Sequence, residues 1–186
     1  MTIYIALLRG INVGGKNKIK MADLRSTLET IGLRQVQTYI QSGNILFASD
    51  EEVQPLREKI EQGIVNGFGI SSSVILRTAA EWERIIRDCP FTEAEIAEAD
   101  AASDAESFYV LLLQEAVTEE AIDRIKGYQA EGEQYRATGR EIYFLFHHSV
   151  RDSKLASNLH KLGGPQTMRN WNTMRKLAEL AEAMKA

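Results

Sequence analysis

Leu8-Arg9-Gly10-Ile11-Asn12-Val13-Gly14-Gly15-Lys16-Asn17-Lys18-Ile19-Lys20 is the stretch whose residue types most clearly suggest chemistry. It combines Gly10, Gly14 and Gly15 with the cations Arg9, Lys16, Lys18 and Lys20, and it contains no acidic side chain. Such a loop can turn backbone N–H groups and ammonium heads toward an anion. Residues 10 to 16 also satisfy the G-x-x-x-x-G-K spacing of a phosphate-binding P-loop. Three features oppose a true P-loop. Asn17 replaces the magnesium-binding hydroxyl, the helical period starts only at Met21, and short hairpins follow in place of alternating strands and helices. Beside a P-loop stand two other readings: a different kind of anion site, or a plain connection whose glycines supply positive φ.

Two further polar segments stand out. Gln41-Ser42-Gly43-Asn44 separates two strand-like runs and reads as a hairpin turn. Thr167-Met168-Arg169-Asn170-Trp171-Asn172-Thr173 follows Gly163-Gly164-Pro165 and reads as a helix start, with Thr167 as N-cap. On a helical wheel Trp171, Met174, Ala178 and Ala181 share an apolar stripe, and Arg169, Asn172, Thr173 and Lys176 a polar one. The polar stripe suits either an anion or an internal network. Asn170 and Asn172 also suit backbone capping.

Catalytic constellations are missing. His147 and His148 are adjacent on a strand-like run and point to opposite faces. His160 has no partner of ligand type one helical turn away, Cys89 lies in a packed Cys-Pro-Phe turn, and no nucleophile elbow surrounds Ser42. Neither a metal nor a cofactor is implied.

The elements that must position these segments follow from periodicity. Strands are expected at Ile3 to Leu8, Val36 to Ile40, Ile45 to Ala48 and Ser73 to Arg77. Helices are expected from Met21 to Ile31, with Gly32 as C-cap, and over the Val53, Leu56, Ile60, Ile64 period. The second half offers strands at Ser107 to Leu113, Gln134 to Thr138 and Glu141 to His147. Helices there are expected over Val117 to Tyr128, about Lys154 to Leu162, and Met168 onward. The expected class is α+β with two ferredoxin-like (βαββαβ-type) subdomains, the second incomplete and extended by C-terminal helices. The boundaries are residues 1–78, a connecting helix and acidic linker over 79–106, and residues 107–186.

The 186 residues carry a net charge of −4 and one cysteine, which argues against a general nucleic-acid coat and a disulfide framework. The charge is uneven. Residues 93 to 106 hold six acids and no cation, whereas the loop over 9 to 20 is purely basic. No apolar run approaches membrane-spanning length, and Met1-Thr2-Ile3-Tyr4 lacks a signal-like basic region. A cytoplasmic protein with no membrane partner is expected.

Leu8 to Lys16, Thr38-Tyr39-Ile40-Gln41-Ser42-Gly43-Asn44, Pro90-Phe91 and Thr167 to Thr173 together resemble the signatures of the bacterial domain-of-unknown-function family 1697. Cys89 stands where that pattern leads one to expect a polar residue such as Asn. The resemblance implies a two-part α+β protein with ferredoxin-like halves and implies no activity. The functional expectation therefore rests on the residues. A basic cleft binds a phosphate-bearing ligand, a nucleotide or nucleic acid. Arg9, Lys16, Lys18 and Lys20 neutralise phosphate, and Asn12, Gln41 and Asn44 orient it. Gly14, Gly15, Ser42 and Asn170 belong to the same ligand-binding set, and Arg169 and Asn172 close the site. The alternatives are an enzyme acting on a small anionic metabolite and a structural module whose motifs clamp the two halves.

Overall fold

The computed structural model describes residues 1–186. The chain divides into two compact units, Met1–Ile86 with Arg175–Ala186, and Arg87–Met174. The structure is mixed α+β, with one four-stranded antiparallel sheet in each unit.

In the first unit, β1 (Thr2–Leu8), β2 (Arg34–Tyr39), β3 (Asn44–Ser49) and β4 (Val74–Thr78) lie in the order β2-β3-β1-β4. Helices α1 (Met21–Thr30) and α2 (Val53–Phe68) alternate with the strands, and α3 (Ala79–Arg87) follows β4. On the central strand Ile5 pairs with Leu46 on one side and Arg77 on the other. Leu24 and Leu28 of α1 and Leu56, Ile60 and Ile64 of α2 pack with Tyr4, Ala6, Leu8, Ile45 and Phe47 of the sheet. Each such fully buried aliphatic side chain contributes about 1.5–3 kcal/mol. The alternate residues Ile5, Leu7, Leu46 and Ile75 are buried as well. That is why β1 reads as a continuous apolar run rather than an alternating one. Helix α2 tolerates Pro55 in its first turn and ends where Gly69 turns left-handed at φ 66°, its N–H bonding Val65 O at 2.8 Å.

The second unit holds β5 (Phe108–Leu113), β6 (Glu133–Thr138), β7 (Glu141–Phe146) and β8 (Gln166–Asn170), in the order β6-β7-β5-β8. Helix α4 (Glu93–Ala102) precedes this sheet and converts the acidic stretch into a capped helix, with Thr92 and Glu95 forming a capping box. Helices α5 (Glu119–Asp123) and α6 (Lys154–Ser157) alternate with the strands, and α7 (Trp171–Met184) follows β8. Leu111, Leu113, Ile142, Phe144 and Phe146 pack with Ala121, Ile125, Leu155, Leu159 and Leu162.

Three sequence expectations need correction. Residues 166 to 170 form a strand, so Thr167 is not an N-cap and the second sheet is complete rather than truncated. Buried polar side chains concealed it. Gln166, Thr167 and Arg169 are all buried, on alternate faces of the strand, and Gln166 donates to Leu159 O at 3.0 Å. An available edge of β5, with unpaired backbone groups, outweighs the helical spacing of these residues. The helix expected over 117 to 128 is short, from Glu119 to Asp123, followed by a 3-10 turn at Lys126–Tyr128 that contains Gly127. The one expected near 154 to 162 is likewise split, into α6 and a 3-10 turn at Leu159–Leu162. With β8 in place, both halves run β-α-β-β-α-β-α, and Arg77 and Arg169 occupy the fourth residue of the last strand in each.

Candidate functional site

Five residues of the basic loop adopt positive φ: Gly10, Asn12, Gly14, Gly15 and Asn17. Gly14 and Gly15 make the tip of a tight turn in which Lys16 N bonds Val13 O at 3.0 Å. Asparagine is the side chain best able to occupy the remaining left-handed positions, because it can bond locally there. Asn17 donates to Gly10 O at 2.9 Å. Asn12 is the hub. Its Nδ2 donates to Ile19 O at 3.1 Å and Gln41 O at 2.8 Å, while its Oδ1 accepts from Ile19 N at 2.9 Å.

Those bonds tie the loop to the β2–β3 hairpin. Leu8 N bonds Gly43 O at 2.8 Å, and a Cβ on Gly43 would sit 2.8 Å from Leu8 Cβ and 2.9 Å from Ile11 Cδ1. Asn44 is fully buried and donates to Tyr39 O at 3.0 Å and to Ser42 Oγ at 2.8 Å. The start of the loop is held by Ser72, whose hydroxyl accepts from Arg9 N at 3.1 Å and donates to Arg9 O at 2.8 Å. The structure thus brings Arg9 to Lys18 and Gln41 to Asn44 together. It also shows that the carboxamides of Asn12 and Asn44 bond within the protein.

Beside this junction lies a surface cavity of about 570 Å³. Gly15, Lys18 and Lys20 line it from the loop, Asp23 from α1, Gln41 from the hairpin and Phe68 from the end of α2. Asn12 and Ile19 form the rest of its wall. Arg9 and Lys16 are exposed on the same loop and stand outside that lining. Sequence reasoning missed Asp23, Phe68 and Ser72 as parts of this region. A first-turn acid, an aromatic before a C-cap glycine and a lone serine carry no signal until the chain folds.

The second unit builds the same junction. Leu113 N bonds Arg140 O at 2.8 Å as Leu8 N bonds Gly43 O, and Val117 N bonds Gly139 O at 2.9 Å where the first unit uses the Asn12 side chain. A cavity of about 520 Å³ lies there too, lined among others by Thr118, Glu119, Asp123, Lys126 and Gly139. Its charge is opposite, since the one lysine is paired with Asp123 at 2.9 Å. A repeat of this design therefore does not need a net positive loop-hairpin cavity.

Arg169, Asn170 and Asn172 belong to the second unit apart from the loop and hairpin residues. Arg169 is a strand residue, so the helical stripe that joined it to Asn172 and Lys176 does not exist. It is nearly buried, donates to Thr167 Oγ1 at 2.7 Å and Met168 O at 3.1 Å, and burial lowers its pKa to about 10. Asn170 caps α7 by accepting from Thr173 N at 2.9 Å, and the exposed Asn172 donates to Glu106 at 3.4 Å. Trp171 stacks on Phe108 with ring centroids 4.5 Å apart.

The architecture and this junction define a two-unit α+β protein that builds one loop-on-hairpin cavity in each sheet unit. The chain belongs to the family described as protein of unknown function (DUF1697), whose model matches residues 1–143. It is also similar to the solved structure of conserved bacterial protein SP0830 from Streptococcus pneumoniae. The TM-score is 0.72 at 26% sequence identity, over 97% of this chain and 98% of that one. No curated protein matches it. No helix is long and apolar enough to cross a membrane.

Proposed function

We propose that this protein binds a phosphate-bearing ligand in the loop-hairpin cavity of its first half. The observation that carries this reading is the contrast between the two repeats. Equivalent junctions share one backbone bond from the end of the first strand to the hairpin, yet the first is lined by two lysines, Lys18 and Lys20, that form no ion pair with Asp23, whereas the lysine of the second is paired. Charges that the shared architecture does not require are best explained by a ligand. Lys18 and Lys20 supply the cations, and the backbone turn at Gly14 and Gly15 keeps side chains out of the way. Asn12 holds the loop against Gln41 rather than touching the ligand. Arg9 and Lys16 add to the local positive field.

The βαββαβ succession and the β2-β3-β1-β4 and β6-β7-β5-β8 orders support ferredoxin-like halves. The burial of Arg169 and the capping by Asn170 favour a scaffold role for residues 167 to 173. A cytoplasmic setting fits the single free cysteine.

Titration of the wild-type chain with phosphate compounds at low ionic strength tests the reading. Binding should weaken as salt rises, fall at least about tenfold in the Lys18→Ala/Lys20→Ala double variant, and persist in Arg140→Ala. Absence of binding to every phosphate compound, nucleotide and oligonucleotide tested at low salt would overturn it.

A further inference from the structure

The composition of the cavity lining narrows the ligand class, on the premise that the phosphate-binding reading of this cavity holds. Two lysines face one carboxylate there, Lys18 and Lys20 against Asp23. That balance leaves one net positive charge, suited to a single phosphate group and poorly suited to a polyanionic backbone, which needs a track of cations. Asp23 repels a bare phosphate. It becomes an asset only if the ligand also carries hydroxyl or amino donors for its oxygens to accept.

Phe68 gives the cavity an aromatic wall. It is half-buried, packed against the core of the first unit on one side and lining the cavity with the rest of its surface. It is the last residue of α2, which ends at the left-handed Gly69. An aromatic side chain lining the same cavity as two lysines can accept a planar ring by stacking, independently of the phosphate. A volume of about 570 Å³ falls in the range of small-molecule sites.

We infer that the ligand is a nucleoside monophosphate: its phosphate lies between Lys18 and Lys20, its base on Phe68, and its sugar or base donors reach Asp23. The two halves of the molecule are read by separate groups, so each can be removed alone.

Isothermal titration at low salt with adenosine monophosphate, uridine monophosphate, inorganic phosphate, adenosine and a twelve-nucleotide single strand tests this. At least one monophosphate should bind about tenfold or more tightly than either phosphate or adenosine. Phe68→Ala should abolish that advantage over phosphate while phosphate binding persists, and Phe68→Trp should keep it, with thermal melts confirming that both variants fold. Asp23→Asn should strengthen inorganic phosphate and not the monophosphates. If phosphate binds as tightly as the monophosphates, or if the twelve-mer binds more tightly than any of them, the monophosphate assignment is wrong while the anion site stands. If nothing binds, the underlying reading fails with it.

Discussion

The side-chain amide of Asn12 donates to the backbone carbonyl of Gln41 at 2.8 Å, across 29 residues of chain. This bond, with the two that Asn12 makes to Ile19, converts a glycine-rich loop into a fixed wall of the cavity. Asn12 sits at φ 53°, a conformation in which most side chains are strained.

Asn12→Ala should therefore destabilise the protein by about 1–3 kcal/mol, since it removes three hydrogen bonds and adds left-handed strain. Asn12→Asp should be at least as damaging, because its carboxylate would face the carbonyls of Ile19 and Gln41, which need a donor. Urea unfolding followed by circular dichroism measures both. A midpoint unchanged in both variants would show that the loop is not held by this residue.

Gly43 is the complementary contact on the hairpin. Its φ of +88° and the 2.8 Å approach of Leu8 Cβ to any added Cβ leave no room for a side chain. Gly43→Ala should cost about 2–4 kcal/mol through strain and displacement of Leu8 and Ile11. Gly14→Ala, where nothing lies within 4 Å, should cost only the backbone term of about 1 kcal/mol. Thermal melts of the two variants should rank in that order.

In the second unit Glu133 has a fully buried side chain and meets His148 Nε2 at 3.1 Å, while His148 Nδ1 lies 3.0 Å from Ser149 O. The other carboxylate oxygen of Glu133 accepts from Ala130 N at 2.8 Å. His148→Ala should destabilise by about 1–3 kcal/mol, because it removes the ring that faces a buried carboxylate oxygen. Adding Glu133→Gln to that variant removes the stranded charge and should recover part of the loss. A double-mutant cycle reads the coupling directly. Additive losses would mean that the two side chains do not interact.

Burial raises the phenol pKa of Tyr143, with Glu141 adding to the effect. The sign follows from linkage. The folded state holds this proton above pH 10, where the unfolded chain releases it, so stability is full below pH 10 and falls as pH rises beyond it. The slope from this one group is at most about 1.4 kcal/mol per pH unit. Tyr143→Phe should flatten the decline measured between pH 9.5 and 11, by comparison with wild type in chemical denaturation. An identical decline in the variant would assign it to other groups.

Much was legible in the chain because it depends on short-range pattern. The glycine-rich loop, the delayed start of α1 at Met21, the hairpin at residues 41 to 44 and the Gly139-Arg140 turn all follow from apolar spacing and from residues that tolerate positive φ. The α+β class follows from the same spacing. Strand β8 was not legible, because its buried residues are Gln166, Thr167 and Arg169, and buried polar groups erase the signal that marks a strand. The breaks after Asp123 and Ser157 were also hidden, since helical spacing continues past them.

The sequence alone determined that three polar segments exist and that one is purely basic. Only tertiary structure decided what their side chains do, because a hydrogen-bonding residue can serve backbone or ligand and its type does not distinguish them. Folding turned the amides of Asn12 and Asn44 inward, buried Arg169 in a strand, and placed Lys18 and Lys20 around a cavity with Asp23 and Phe68. Asp23 and Phe68 come from separate helices, so their meeting with the loop depends on long-range packing that no local pattern encodes.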